Sequence, residues 1–225
     1  MNKQHTVLDL QRMKTKSQKI SMITAYDYSM ARLVDAGGID AVLVGDSVGM
    51  VFQGHADTLS VTMEDMIYHA KCVARGLQRA HLVVDMPFMS YQCSVEEAVR
   101  NAGRLVKEGH AQSVKLEGGQ SVVPQIKAIV QAGIPVVAHL GLTPQAIHAL
   151  GGFKVQGKGR DAQYKMKADA IAIQNAGASM LVLEMVPAPL AKEISEMLDI
   201  PTIGIGAGVD CDGQVLVCND LFGMN

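Results

Sequence analysis

Residues 41–47, AVLVGDS, run apolar residues into a glycine, an acid and a hydroxyl. The pattern predicts a buried strand whose exit carries Asp46 and Ser47 out of the core. The same design recurs at 82–85 (LVVD), 113–117 (SVKLE), 136–139 (VVAH) and 181–184 (LVLE). One apolar strand ending in an ionisable residue is ordinary. A series of them predicts a parallel sheet or barrel with its polar chemistry at the carboxyl edge, where α/β folds place their sites.

Helical segments separate these strands. Thr6 and Asp9 have the form of a helix start, with a helix over 7–14. Residues 20–26 read as the first strand, and 28–36 as a helix closed by Gly37-Gly38. Residues 49–59 (GMVFQGHADTL) show no period and are expected to form a loop over the strand ends. Thr62 caps a helix reaching Arg75, and Ser94 one whose apolar face is Val95, Ala98, Val99, Ala102, Leu105 and Val106. Helices are also predicted over 122–131, from Pro144, over 161–175 and over 190–198, with the glycine-rich basic stretch 151–160 exposed between them. The last strands fall at 201–205 and 215–218.

Alternation of this kind argues for parallel strands in one sheet, and eight strand candidates favour a closed (β/α)8 barrel forming a single domain over 1–225. The eighth position is strained. Only residues 209–214 separate the last two strands, whereas a parallel crossover usually takes roughly a dozen residues. The chain ends at Asn225, so the eighth element is a strand or a helix, or the last helices lie outside this chain.

Charge and composition narrow the function. A formal net charge of -2 gives no reason to expect nucleic acid or an anionic membrane as a partner. No apolar run approaches the ~18 residues of a membrane span, and the polar N-terminus has no secretory core, so a cytoplasmic protein is expected. The four cysteines lack CxxC spacing and read as reduced thiols. There is no GxSxG and no Walker A motif.

The strand ends carry the candidate chemistry. Asp46 and Asp85 close two different strands, and hard divalent cations favour such carboxylates. Lys115 and Glu117 are two apart and share a strand face. Inside a barrel they either pair to fill it, or bind a substrate carboxylate and a metal. His139 on its apolar strand is either a hydrogen-bonded core residue or a substrate contact. Glu184 is a structural cap or a general base. Gly204, Gly206 and Gly208 read as a tight strand exit.

In these segments the chain resembles the ketopantoate hydroxymethyltransferase family. The resemblance lies in ITAYDYSMARL (23–33), VLVGDSVGMVFQGHADTLSVT (42–62), DMPFMSY (85–91) and VKLEGG (114–119). It continues through AHLGLTPQ (138–145), GGFKVQGKG (151–159), LVLEMVP (181–187) and IGIGAG (203–208). It implies a barrel of the phosphoenolpyruvate/pyruvate type, shortened at its C-terminus in this chain. It also implies hydroxymethyl transfer from 5,10-methylenetetrahydrofolate to 3-methyl-2-oxobutanoate, dependence on Mg²⁺, and a homodecamer. By the same resemblance, Asp46, Asp85 and Glu117 match metal positions. Asp46, Ser47, Asp85 and Lys115 match the oxoacid site, and Glu184 the proton acceptor.

Two rivals are weighed against this expectation. A Mg²⁺-dependent oxoacid carbon–carbon lyase of the isocitrate-lyase or phosphoenolpyruvate-mutase type would carry a cysteine-bearing loop after a strand, and Gln120-Ser121 follow VKLEGG instead. A non-catalytic barrel would bind the oxoacid without turnover.

Overall fold

The structure, a computed structural model, describes residues 4–224. Its strands are β1 (Ile20–Thr24), β2 (Ala41–Val44), β3 (His81–Asp85), β4 (Ser113–Glu117), β5 (Val136–Gly141), β6 (Met180–Glu184), β7 (Thr202–Ile205) and β8 (Gly213–Leu216). They close in sequence order into a barrel of parallel neighbours, with β8 returning to β1. The expected (β/α)8 class is the observed one.

The helices are α1 (Val7–Thr15), α2 (Tyr28–Ala36), α3 (Val48–Val51), α4 (Met63–Gly76), α5 (Val95–Lys107), α6 (Val123–Gln131), α7 (Ile147–Leu150), α8 (Arg160–Asn175), α9 (Ala188–Met197) and α10 (Cys218–Leu221). Their starts follow local chemistry. Thr6 and Thr62 each form a reciprocal capping box, with Asp9 and Asp65. Ser94 accepts a hydrogen bond from the Glu97 amide.

The period of two along each strand sorts the core into two layers. Val42, Leu82, Val114, Ala138 and Leu181 point outward and pack under the helices. Leu43, Val83, Val137, Val182 and Ile203 point inward. Leu10 of α1, fully buried, joins this inner cluster together with Ile20 and Met180. Leu10 of the amphipathic α1 therefore plugs the amino-terminal end of the barrel, and the polar residues of the inner face are left for the other end.

Two expectations are corrected. Residues 49–59 do not form one continuous loop, because the short helix α3 covers 48–51 before the loop begins. The eighth element is a strand, but over Gly213–Leu216 rather than 215–218. The short connection 206–212 suffices. Seven extended residues reach roughly 23 Å, and the return need only match a four-residue strand of about 13 Å. Gly206 and Gly208 adopt positive φ at its start. Asp212 then accepts hydrogen bonds from the Thr202 amide (2.8 Å) and hydroxyl (3.0 Å), holding the loop against β7.

Candidate active site

The carboxyl ends of the strands surround a cavity of about 240 Å³. Asp46, Ser47, Asp85, Lys115, Glu117, His139 and Glu184 all line it. Every residue singled out at the strand ends is thus brought to one place.

Strand alternation explains the convergence. Ser113, Lys115 and Glu117 occupy the same face of β4, and both charged side chains are buried. Asp85 pairs in register with Lys115, and Glu117 with His139. Glu184 reaches the cavity because β5 and β6 approach closely at Gly141. That residue has φ +99°, and a Cβ there would strike the Glu184 carbonyl. The Leu142 amide binds the same carbonyl at 2.8 Å.

The Lys115 ammonium lies 2.9 Å from Asp85 Oδ1. The direction is poor for a hydrogen bond, so that oxygen has an ion-pair partner but no hydrogen-bond donor. Asp85 Oδ2 accepts from the Asp46 amide at 3.0 Å. His139 stands between two carboxylates, with Nδ1 3.3 Å from Glu117 and Nε2 3.3 Å from Glu184. The Nε2–Glu184 contact is an ion-pair distance without hydrogen-bond geometry. A ring flanked this way is an imidazolium. Its 3.4 Å contact with Lys115 is then a like-charge contact, not a hydrogen bond.

These contacts set the charge states. Burial, then the charges of Asp85 and Glu117, push the Asp46 carboxyl up to about 8. Burial also raises Asp85, against the pull of Lys115. For Lys115, burial opposes the charge, but Asp85, Glu117 and Asp46 outweigh it and hold the ammonium above its ordinary value. Burial and Lys115 disfavour the charged His139 ring, yet the carboxylates of Glu117 and Glu184 on either side bring it up to about 9.

Asp46, Asp85, Glu117 and Glu184 therefore face only Lys115 and His139 on the cavity floor. This surplus of hard oxygen donors fits a divalent cation chemically. Among the described residues no set of three or more His, Cys, Asp or Glu is already spaced to grip a metal. The fit therefore lies in the donor chemistry and the unbalanced charge, and loading would require the carboxylates to turn.

Gln145 was not singled out from the sequence. It lies in a tight turn after β5, and its amide donates 2.9 Å bonds to Asp46 Oδ2 and the Met86 carbonyl. Its backbone amide donates to Glu117 Oε2 at 3.0 Å. Nothing local announces this role except the polar residue following Thr143-Pro144, because its partners are far away in sequence. Ser47 contacts the buried Tyr26 hydroxyl at 2.7 Å. The cavity rim is apolar, built by Met50, Val51, Pro144 and Phe153. Lys154, Lys158 and Arg160 are exposed, and none of them lines the cavity.

The family profile of ketopantoate hydroxymethyltransferase matches residues 4–225. The chain belongs to the ketopantoate hydroxymethyltransferase family. It is 62% identical to the 3-methyl-2-oxobutanoate hydroxymethyltransferase of Syntrophotalea carbinolica, covering all of this chain and 84% of that protein. It is 57% identical to the enzyme of the same name from Pelobacter propionicus, covering all of this chain and 83% of that one.

Two solved structures share the fold alone. Phosphoenolpyruvate phosphomutase from Streptomyces platensis superposes with a TM-score of 0.73 at 14% identity, over 98% of this chain and 83% of that one. A 2,3-dimethylmalate lyase of the PEP mutase/isocitrate lyase superfamily gives 0.70 at 17%, over 97% and 83%. Membership in this family and a (β/α)8 barrel are what the resemblance implied. Membership in the family leaves the lyase and the non-catalytic barrel without support. Among the described residues no helix is long and apolar enough to cross a membrane.

Proposed function

We propose that this chain transfers a hydroxymethyl group from 5,10-methylenetetrahydrofolate to 3-methyl-2-oxobutanoate, giving 2-dehydropantoate and tetrahydrofolate. Asp46, Asp85 and Glu117 hold Mg²⁺, and the oxoacid sits on Asp46, Ser47, Asp85 and Lys115 with His139 beside it. The observation that carries the reading is the surplus of four buried or half-buried acids over Lys115 and His139; burial, then the charges of Asp85 and Glu117, push the Asp46 carboxyl up to about 8.

Glu184 accepts the proton from C3 of the oxoacid. It is the least buried of the floor carboxylates, and His139 stands 3.3 Å from it. The imidazolium, opposite in charge, steadies the Glu184 side chain before it takes the proton. Lys115 offsets the negative charge of the substrate carboxylate. Bound beside these residues, Mg²⁺ would withdraw charge from the keto oxygen and favour enolisation. The C3 electron pair then attacks the folate methylene carbon. One of that carbon's two bonds to folate nitrogen breaks before this attack and the other when water attacks the same carbon. Each electron pair stays with its nitrogen, and the two nitrogens take up the protons lost by C3 and by water. One water is consumed overall, and its oxygen becomes the new hydroxyl.

The apolar rim supports the folate half of the reading. A flat ring system needs an apolar face to rest on, and Phe153 at the rim is 55% exposed. The same reading makes the enzyme a cytoplasmic homodecamer, with family membership as its support. Formation of 2-dehydropantoate, assayed with and without Mg²⁺, tests the reaction. Product formation that is unaffected by a chelator removes the metal from the proposal, and no product at all removes the reaction. Light scattering tests the assembly.

A further inference from the structure

We propose that Gln145 is a positioning residue that sets Asp46 and Glu117 for a divalent cation, an inference that rests on the metal reading above. A side-chain amide has two donor and two acceptor positions. In Gln145 all of them are used. The NH₂ group donates to Asp46 Oδ2 and to the Met86 carbonyl, both at 2.9 Å. The oxygen accepts from the Tyr91 hydroxyl at 2.8 Å and from the Gln92 amide at 3.1 Å.

This arrangement has only one orientation. The Met86 carbonyl can only accept, so turning the amide over would set its oxygen against that acceptor. The chain contributes a fifth bond, from the Gln145 backbone amide to Glu117 Oε2 at 3.0 Å. Tyr91 braces the same assembly, because its hydroxyl also accepts from the Glu117 amide at 3.0 Å. One nearly buried residue thus joins the exits of β2, β3 and β4, the three strands that carry the metal carboxylates.

The donors act on one oxygen of each carboxylate. Gln145 anchors Oδ2 of Asp46 and Oε2 of Glu117, so that each group can turn about a held oxygen and bring its other oxygen to the cation. Partners of this kind are usually worth ~10–100-fold in metal affinity. A purely structural amide would instead affect the melting of the metal-free protein and leave affinity alone.

The test is titration of the metal-free full chain with Mn²⁺, a hard divalent cation read directly by electron paramagnetic resonance, with no substrate present. The wild type is measured beside Gln145→Met, which keeps the length and removes the side-chain donors, and Tyr91→Phe, which removes one of the two donors to the Gln145 oxygen and the acceptor of the Glu117 amide without touching Asp46. The expected result is a Mn²⁺ dissociation constant raised ~10–100-fold in Gln145→Met, with a smaller rise in Tyr91→Phe. Wild-type affinity in both variants overturns the positioning role and leaves the metal reading standing. Absence of Mn²⁺ binding by the wild type overturns both. If Gln145→Met does not fold, Tyr91→Phe decides alone, and unchanged affinity in that variant overturns the proposal.

Discussion

His81 and His139 are both buried histidines on barrel strands, and they are held in opposite charge states. His81 opens β3 at the amino-terminal end. Its Nδ1 meets the His5 carbonyl at 3.0 Å and its Nε2 the Ser113 hydroxyl at 2.7 Å. One neutral tautomer satisfies both contacts, and burial takes the ring down to about 4. His139, at the carboxyl end, faces two carboxylates and is carried up to about 9. The same contrast holds more widely. At the amino-terminal end Asp212 binds Thr202 and the Lys14 ammonium (2.8 Å), and the Ser195 and Thr202 hydroxyls pair at 2.6 Å. At the carboxyl end acids outnumber cations, and Asp85 Oδ1 and His139 Nε2 have no hydrogen-bond partner.

Matched polar groups close a barrel, and mismatched ones leave it able to bind. The mismatch costs stability, as expected where function is placed on a scaffold that stability comes from elsewhere. The two ends should therefore answer mutation differently. Changes at the carboxyl end should alter turnover and binding, and changes at the amino-terminal end should alter melting.

The largest effect is expected at Glu184. Glu184→Gln keeps size and hydrogen bonding but cannot take a proton. Exchange of the oxoacid C3 hydrogen with D₂O, run without folate, should fall by roughly 10²-fold or more, with oxoacid binding little changed. Exchange at the wild-type rate would move the base elsewhere, and His139 would be the next residue to test.

Lys115 comes next. Lys115→Met removes the ammonium from a floor already too negative. Truncating one partner of a buried charge pair costs about 2 kcal/mol or more, roughly 30-fold. The Michaelis constant for the oxoacid should rise by at least that factor, and the one for folate far less. Equal constants before and after would make Lys115 only a filler of the barrel.

The pH dependence of melting separates the two ends in one experiment on the metal-free protein. His81 has its folded pKa lowered, to about 4. Its stability contribution is present above the unfolded value near 6.5 and is lost as pH falls from there through about 4. His139 has its folded pKa raised, to about 9. Its contribution is present below about 6.5 and is lost as pH rises through about 9. Each kcal/mol should move the midpoint by about 2–4 °C in a chain of this size. His81→Asn should flatten the acid limb and spare the alkaline one. A profile that this substitution does not alter would break the contrast between the histidines.

Much of this was legible in the sequence because strands write a local code. Apolar runs such as 82–85 mark a strand buried on both faces, and its last ionisable residue must lie at an exit, so Asp46, Asp85, Glu117, His139 and Glu184 could be placed on one rim. The spacing of Lys115 and Glu117 fixed their shared face. What escaped was either too short or too distant. The helix α3 is a single turn, with no side-chain bond from Ser47 to start it. Strand β8 alternates buried and exposed residues, a pattern its four positions scarcely declare. Gln145 acts on Asp46, which lies 99 positions away, and no local period carries such a contact.

The smallest effect is expected at the apolar rim, and it sharpens the contrast in a different way. At the amino-terminal end the apolar plug is Leu10 of α1, fully buried, so its contribution goes to folding. At the carboxyl end Phe153 is 55% exposed and has little packing to lose. Phe153→Leu should therefore leave the melting midpoint unchanged. If the ring stacks on the folate, losing the aromatic pair costs about 0.5–1.5 kcal/mol, or roughly two- to tenfold in the Michaelis constant for folate. In the proposed reading the oxoacid rests on Asp46, Asp85 and Lys115 rather than on this ring, so its constant and the folate-free exchange rate should stay as they are. A change in both constants would mean that Phe153 shapes the whole cavity. No change in either would mean that the folate rests on another part of the rim, with Met50 and Val51 of α3 the next residues to vary.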